Sequence, residues 1–231
     1  MIDPSLWMSS NHDERPAGTP VDMLVLHYTG MPNVEEALVR LCDPVVKVSA
    51  HYLIDEDGTV VALVDEARRA WHAGVACWRG ARDVNARSIG VELVNPGHEF
   101  GYRPFPKAQM EALERLAKGI LARHPIPARN VVGHSDVAPT RKQDPGELFD
   151  WRRLAAAGIG LWPESAAPCM ADRDGVAAML ANYGYDVADV AAAVAAFQRR
   201  FRPGRIDGVA DADTVGRLAA LLRVVGAGRT L

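Results

Sequence analysis

The chain has no excess of positive charge. Among its 231 residues, 26 Lys and Arg stand against 29 Asp and Glu, a formal net charge of −3. That balance excludes a whole-protein electrostatic grip on nucleic acid or anionic lipid. No stretch approaches the ~20 apolar residues of a membrane span. The opening Met1-Ile2-Asp3-Pro4-Ser5-Leu6-Trp7 has neither the basic start nor the apolar run of a secretory leader. The expected location is therefore cytoplasmic, with a periplasmic one as the alternative if a leader was removed. Cysteine is scarce: Cys42, Cys77 and Cys169 are odd in number and widely spaced. They form neither a disulfide framework nor a metal knuckle. Reduced, partly buried thiols are expected. There is no internal repeat and no low-complexity tract. The remainder is ordinary, with 48% hydrophobic and 24% charged residues, which supports a folded core over disorder.

Composition shifts near residue 160. The stretch Gly158-Ile159-Gly160-Leu161-Trp162-Pro163, continuing to Pro168, is rich in residues that punctuate structure. Two units are expected: residues 1–160, with an arm over 1–20, and residues 165–231. In the first, Met23–Tyr28 reads as a buried strand, and Asn33 caps a helix through Leu41. His51–Ile54 and Thr59–Val64 form a hairpin around Asp57-Gly58. Ser88–Asn95 and Asn130–Gly133 are further strands, and Pro106–His124 is an amphipathic helix. This is an α/β pattern. In the second unit, alanine-rich helical periodicity draws three helices, with Phe197 and Phe201 on an apolar face and Asp211 or Asp213 capping the third.

Two of the seven histidines stand out by position. His27 ends the strand Met23–Tyr28, and His134 follows Val131-Val132-Gly133. Strand ends are where α/β folds gather functional side chains. Asp144 follows in Lys142-Gln143-Asp144-Pro145-Gly146. Two imidazoles and a carboxylate, with a fourth position left to water, match a catalytic zinc set. Spacing alone leaves other roles open: a strand-end histidine can be hydrogen-bonded structure, and Asp144 before Pro-Gly can form a turn. Glu92 sits mid-strand in apolar surroundings, where a carboxylate is costly unless paired or functional.

Five ordered motifs are Val25-Leu26-His27-Tyr28-Thr29, Ser49-Ala50-His51-Tyr52-Leu53-Ile54, Trp71-His72-Ala73-Gly74, Ser88-Ile89-Gly90-Val91-Glu92, and Gly133-His134-Ser135-Asp136 with Lys142-Gln143-Asp144-Pro145-Gly146. Over roughly residues 20–157 the chain resembles the zinc-dependent N-acetylmuramoyl-L-alanine amidases of the type 2 family. These are related to phage amidase lysozymes and peptidoglycan recognition proteins. The resemblance implies a central mixed β-sheet flanked by helices, with one catalytic Zn2+ in a groove. It implies His27, His134 and Asp144 as metal ligands, Glu92 as general acid/base and Lys142 as oxyanion support. Phage relatives carry cysteine at the third ligand position, so Asp144 places the chain with the bacterial branch. Tyr28, Trp71 and His72 are candidate substrate contacts, with a structural role equally open for His72. His51 is expected in the site wall or core, and His12, His98 and His124 in solvent. Arg68, Arg69, Arg79, Arg82 and Arg87 could meet peptide carboxylates, and the Cys77–Asn85 loop is a candidate lid. The C-terminal Phe197-Gln198-Arg199 and Asp207-Gly208-Val209-Ala210-Asp211 elements resemble the three-helix peptidoglycan-binding module.

The expected activity is hydrolysis of the amide between the lactyl group of N-acetylmuramic acid, or its 1,6-anhydro form, and L-alanine of the stem peptide. The expected partners are peptidoglycan fragments in cell-wall recycling. Three alternatives stand beside it: a non-catalytic peptidoglycan receptor, an envelope amidase acting on polymer, and a zinc peptidase cutting between amino acids.

Overall fold

Met23-Leu24-Val25-Leu26 is apolar at every position because its strand is covered on both faces, and all four side chains are fully buried. The computed structural model describes residue 3, residues 6–163 and residues 166–227. Met1, Ile2, Pro4 and Ser5 of the expected arm, Glu164 and Ser165 of the expected join, and residues 228–231 lie outside the described residues.

The strands are β1 (His12–Glu14), β2 (Met23–Tyr28), β3 (Tyr52–Ile54), β4 (Val60–Ala62), β5 (Arg68–Ala70), β6 (Ser88–Leu93) and β7 (Val131–Gly133). The helices are α1 (Val34–Cys42), α2 (Gly97–Phe100), α3 (Lys107–Arg123), α4 (His134–Val137), α5 (Trp151–Ala156), α6 (Arg173–Tyr183), α7 (Val190–Phe201) and α8 (Ala212–Ala227). The main sheet has the order β4-β3-β6-β2-β7. Its β3, β6, β2 and β7 are parallel and β4 is an antiparallel edge. The fold is thus α/β, as the sequence pattern indicated, with the mixed sheet that the family resemblance implied.

Local rules set the boundaries. Asn33 caps α1, its Oδ1 accepting the Glu36 N–H at 2.9 Å. Gly58, with φ of 89°, closes the β3–β4 turn. Asp211, not Asp213, caps α8 by accepting the Thr214 N–H at 3.0 Å.

The two faces of the sheet bury different partners. Leu24, Leu26, Ile89, Val91 and Val131 pack with Met110, Leu113 and Ile120 of α3. On the other face, Met23, Val25 and Val132 share a core with Trp78 and with Val176, Leu180, Tyr183, Phe197 and Phe201 of the C-terminal helices. Leu53 on that face meets α1 through Leu38 and Leu41. A groove remains beside α1, over the carboxyl ends of β6, β2 and β7, with Trp71, His72 and residues 141–144 on its other walls.

The expected lid is instead an anchor. Trp78 is 0% exposed, donates to Asn130 Oδ1 at 3.2 Å and packs edge-on against Tyr183 and Tyr185. The cysteines are free, but Cys169 is exposed rather than partly buried.

Candidate active site

The parallel ladder pairs His27 with Glu92 and Leu26 with Gly133. Paired positions in a sheet point to the same face, so Glu92, His27 and the residue after Gly133 arrive in a row. That residue is His134, the first of the single-turn α4. Asp144 joins them from the following loop. Its Oδ2 lies 3.0 Å from His27 Nδ1 and 3.1 Å from His134 Nδ1. Their ligand atoms all lie within 4.8 Å of one another, and the three residues are buried.

Outer hydrogen bonds decide which ring nitrogens carry protons. Ser88 Oγ spends its only proton on Val84 O at 2.6 Å, so at 3.0 Å it accepts from His72 Nε2. His72 Nδ1 is then an acceptor and takes the His27 Nε2–H at 3.0 Å. His134 Nε2 donates to Ala73 O at 3.0 Å. Both Nδ1 atoms therefore present lone pairs toward the Asp144 carboxylate. Three acceptors converging on one point is the donor chemistry of a cation site.

The electrostatics agree. Burial, and then the neighbouring His134, push the His27 imidazole down to about 4. Burial and the adjacent His27 and His51 also push His72 well below the ordinary histidine value. Glu92 goes the other way: burial, then the Asp144 charge, raise it well above the usual range, against the pull of Lys142. Glu92 Oε2 is shut off from solvent and has no hydrogen-bond partner among the described residues.

The groove encloses about 570 Å³ and is lined by His27, Tyr28, Trp71, His72, Glu92, His134, Lys142 and Asp144. The structure thus brings every candidate site residue to one cavity. His72 is buried against His27 and Ser88. Tyr28 is held by His98, whose Nδ1 lies 2.9 Å from its hydroxyl and whose Nε2 meets Glu147 at 3.1 Å. His98 is exposed, as expected, whereas His12 and His124, also expected in solvent, are half-buried. His12 Nδ1 accepts from Arg68, and His124 Nε2 meets Glu66 at 2.7 Å. His51 Nδ1 accepts the Gly90 N–H at 3.0 Å, and the ring is 0% exposed, the core of the two places expected for it.

The arginines on the wall are different ones from those expected. Arg68, Arg69 and Arg87 are spent on Glu14, Asp13 and Asp22, and Arg79 and Arg82 do not line the groove. Arg40 and Arg141 do. Arg40 has a weak signal in the sequence, as a cation in the last turn of α1. Arg141 is placed by bonds to Ala73 O and Val75 O at 2.9 and 2.7 Å, which no local pattern announces.

A buried group of two imidazoles and a carboxylate that could hold a metal, beside a second carboxylate in a groove at strand ends, is the equipment of an amide hydrolase. The sequence model of the N-acetylmuramoyl-L-alanine amidases, Amidase_2, matches residues 17–147. N-acetylmuramoyl-L-alanine amidase AmiD of Escherichia coli is 39% identical over 89% of this chain and 84% of its own length. The 1,6-anhydro-N-acetylmuramyl-L-alanine amidase AmpD of Enterobacter cloacae is 35% identical over 68% of this chain and 90% of its own. In structure, AmiD from E. coli, in complex with anhydro-N-acetylmuramic acid-L-Ala-D-gamma-Glu-L-Lys, aligns with a TM-score of 0.83 and 40% identity, covering 91% of this chain and 92% of that one. AmpDh3 from Pseudomonas aeruginosa, in complex with an anhydromuramic pentapeptide, aligns with a TM-score of 0.82 and 34% identity over 97% and 98%. The chain belongs to the N-acetylmuramoyl-L-alanine amidase family and is a hydrolase of that class.

Proposed function

We propose that the groove hydrolyses the amide between the lactyl carbonyl of N-acetylmuramic acid, in its reducing or 1,6-anhydro form, and the L-alanine of a stem peptide. The convergence of His27, His134 and Asp144 beside the enclosed Oε2 of Glu92 carries this reading. Likeness to AmiD bound to an anhydro-muramyl peptide supports the substrate class.

His27 Nδ1, His134 Nδ1 and Asp144 Oδ2 are the atoms we assign as ligands of one zinc ion. When bound, zinc would polarise the scissile carbonyl and draw a water toward a pKa of ~7. Glu92 does the proton work: its raised pKa suits a base that takes a proton from water and gives it to the leaving alanine nitrogen. Lys142, a cation in the groove wall, offers its ammonium to the developing oxyanion. His72 and Ser88 hold the His27 ring in its working tautomer. Tyr28 and Trp71 give the sugar and peptide an amphipathic wall. We assign residues 1–160, with the arm over 1–20, as the hydrolase unit and residues 165–231 as a helical unit like the peptidoglycan-binding module.

Glu92→Gln tests the mechanism. Turnover on a muropeptide should fall on the order of 10²–10⁴-fold with metal still bound. Turnover within threefold of wild type would remove Glu92 from its role. Product mass separates the readings of the bond cut, because only the amidase frees an intact stem peptide from the sugar.

Three free cysteines support a cytoplasmic role in recycling fragments. The helical region favours a second reading, an envelope amidase accepting polymer. No helix among the described residues is long and apolar enough to cross a membrane. Side-by-side rates on anhydro-muropeptide, reducing-end muropeptide and intact sacculi decide between them.

A further inference from the structure

Asp136 stands two residues after His134 and is 0% exposed. A buried carboxylate is tolerated only when its oxygens are answered by donors. One donor is local: the Gly133 N–H, at 2.8 Å from Oδ2, which ties the carboxylate across the turn that begins with His134. The other two come from the C-terminal helical region, one from α7 and one from the α6–α7 connection. Arg200 Nη1, on α7, lies 2.9 Å from Oδ2, and the Tyr185 hydroxyl lies 2.6 Å from Oδ1. Both are almost wholly buried. The Arg200 guanidinium also lies 4.1 Å from the centre of the Trp151 ring, an apolar seat that holds its unbonded nitrogens away from water. The next residue back, Arg199, reaches toward Glu147 at 3.9 Å, on the segment just after Asp144. Two consecutive arginines of one helix thus meet the acids that follow two of the proposed metal ligands.

We infer that the helical region is a positioning element of the hydrolase, and that Arg200 and Tyr185 fix, through Asp136, the turn that presents His134. This inference rests on the reading of His134 as a metal ligand. Asp136 touches no substrate; its charge is compensated only when the helices are docked, so the turn is fully braced only in the intact chain. Outer partners of metal-binding histidines typically affect metal affinity 10–100-fold. A donor that braces the backbone of one ligand belongs to the same range.

The test uses full-length Tyr185→Phe, which removes one hydroxyl and keeps the ring packing, and the pair Arg200→Lys and Arg200→Met. Zinc affinity is read by chelator competition without substrate, and kcat and KM are read separately. Tyr185→Phe should bind zinc about tenfold more weakly and lose kcat with KM within twofold. Arg200→Lys should recover part of what Arg200→Met loses, because it restores the charge. Melting temperatures are recorded beside these values. Variants that melt earlier yet bind zinc and turn over as wild type would overturn the inference, leaving a merely structural contact. Weakened zinc binding together with an unexpected bond cleaved would keep the inference and sink only the substrate reading. A wild type that binds no metal would sink both.

Discussion

A β-carbon on Gly90 would lie 2.4 Å from Cγ of the His72 ring. Glycine inside a strand usually weakens it, and here it marks a close approach. The space at position 90 lets His72 reach His27 on one side and Ser88 on the other. Gly90→Ala should therefore push the ring out of that relay. The expected cost is about 1–3 kcal/mol from overpacking, with weaker metal binding. Thermal melting and chelator competition check the two parts; unchanged metal affinity would detach His72 from any role in holding His27.

Gly146 makes the same kind of room on the Asp144 side. Its φ is 87°, and a β-carbon there would lie 2.2 Å from the Tyr102 hydroxyl. That hydroxyl donates to Pro145 O at 2.8 Å and accepts the Leu148 N–H at 2.9 Å, closing the loop around the ligand. Gly146→Ala adds left-handed strain to a clash. It should destabilise by at least about 1–3 kcal/mol and lower metal affinity more than Gly101→Ala, whose β-carbon would meet nothing within 4 Å although its φ is also positive. Equal effects of the two would show that strain alone matters.

His51 gives a pH dependence with a definite sign. Burial pushes its imidazole down to about 4 from an ordinary 6.5, and its Nδ1 accepts the Gly90 N–H. The unfolded chain takes up this proton first as pH falls below 6.5. The contribution is therefore complete above about pH 6.5 and is lost progressively toward pH 4. Its full size is on the order of 3 kcal/mol. Urea midpoints across this range should fall with acid in the wild type and fall less in His51→Gln. Equal slopes would show that His51 does not set this window.

Metal removal should act on fold and activity together. A ligand present at about 1,000 times its Kd adds about 4 kcal/mol to stability, roughly 10 °C in Tm for a chain of this size. A chelator should abolish turnover and lower Tm by this order, and added zinc should restore both. Activity that survives thorough chelation would rule out the metal role assigned to His27, His134 and Asp144.

Much of this was legible in the sequence because it is encoded locally. The start of β2 follows from the apolar run Met23–Leu26, the start of α1 from the Asn33 side chain, and His27 and His134 from their places at strand ends. Glu92 was visible as a carboxylate with apolar neighbours on both sides. What was not legible depends on docking. β1 and β5 have no apolar alternation to read; they pair Asp13 with Arg69 and Glu14 with Arg68 directly across the ladder. Arg141 and Arg40 reach the groove, and Arg68, Arg69 and Arg87 do not, because ion pairs formed far along the chain decide which cations are spent. The role of Asp136 is hidden for the same reason, since Arg200 lies 64 residues away.

The pairing of His27 with Glu92 in the β2–β6 ladder has a dynamic consequence. Their backbones are held about 4.8 Å apart by adjacent strands, in the middle of the sheet. Nothing short of opening that sheet separates them, and central strands are the last parts of a protein to exchange their amide hydrogens. The spacing of ligand and proton carrier is therefore as durable as the fold itself. Adaptation to different muropeptides falls to the loops that leave the strand ends.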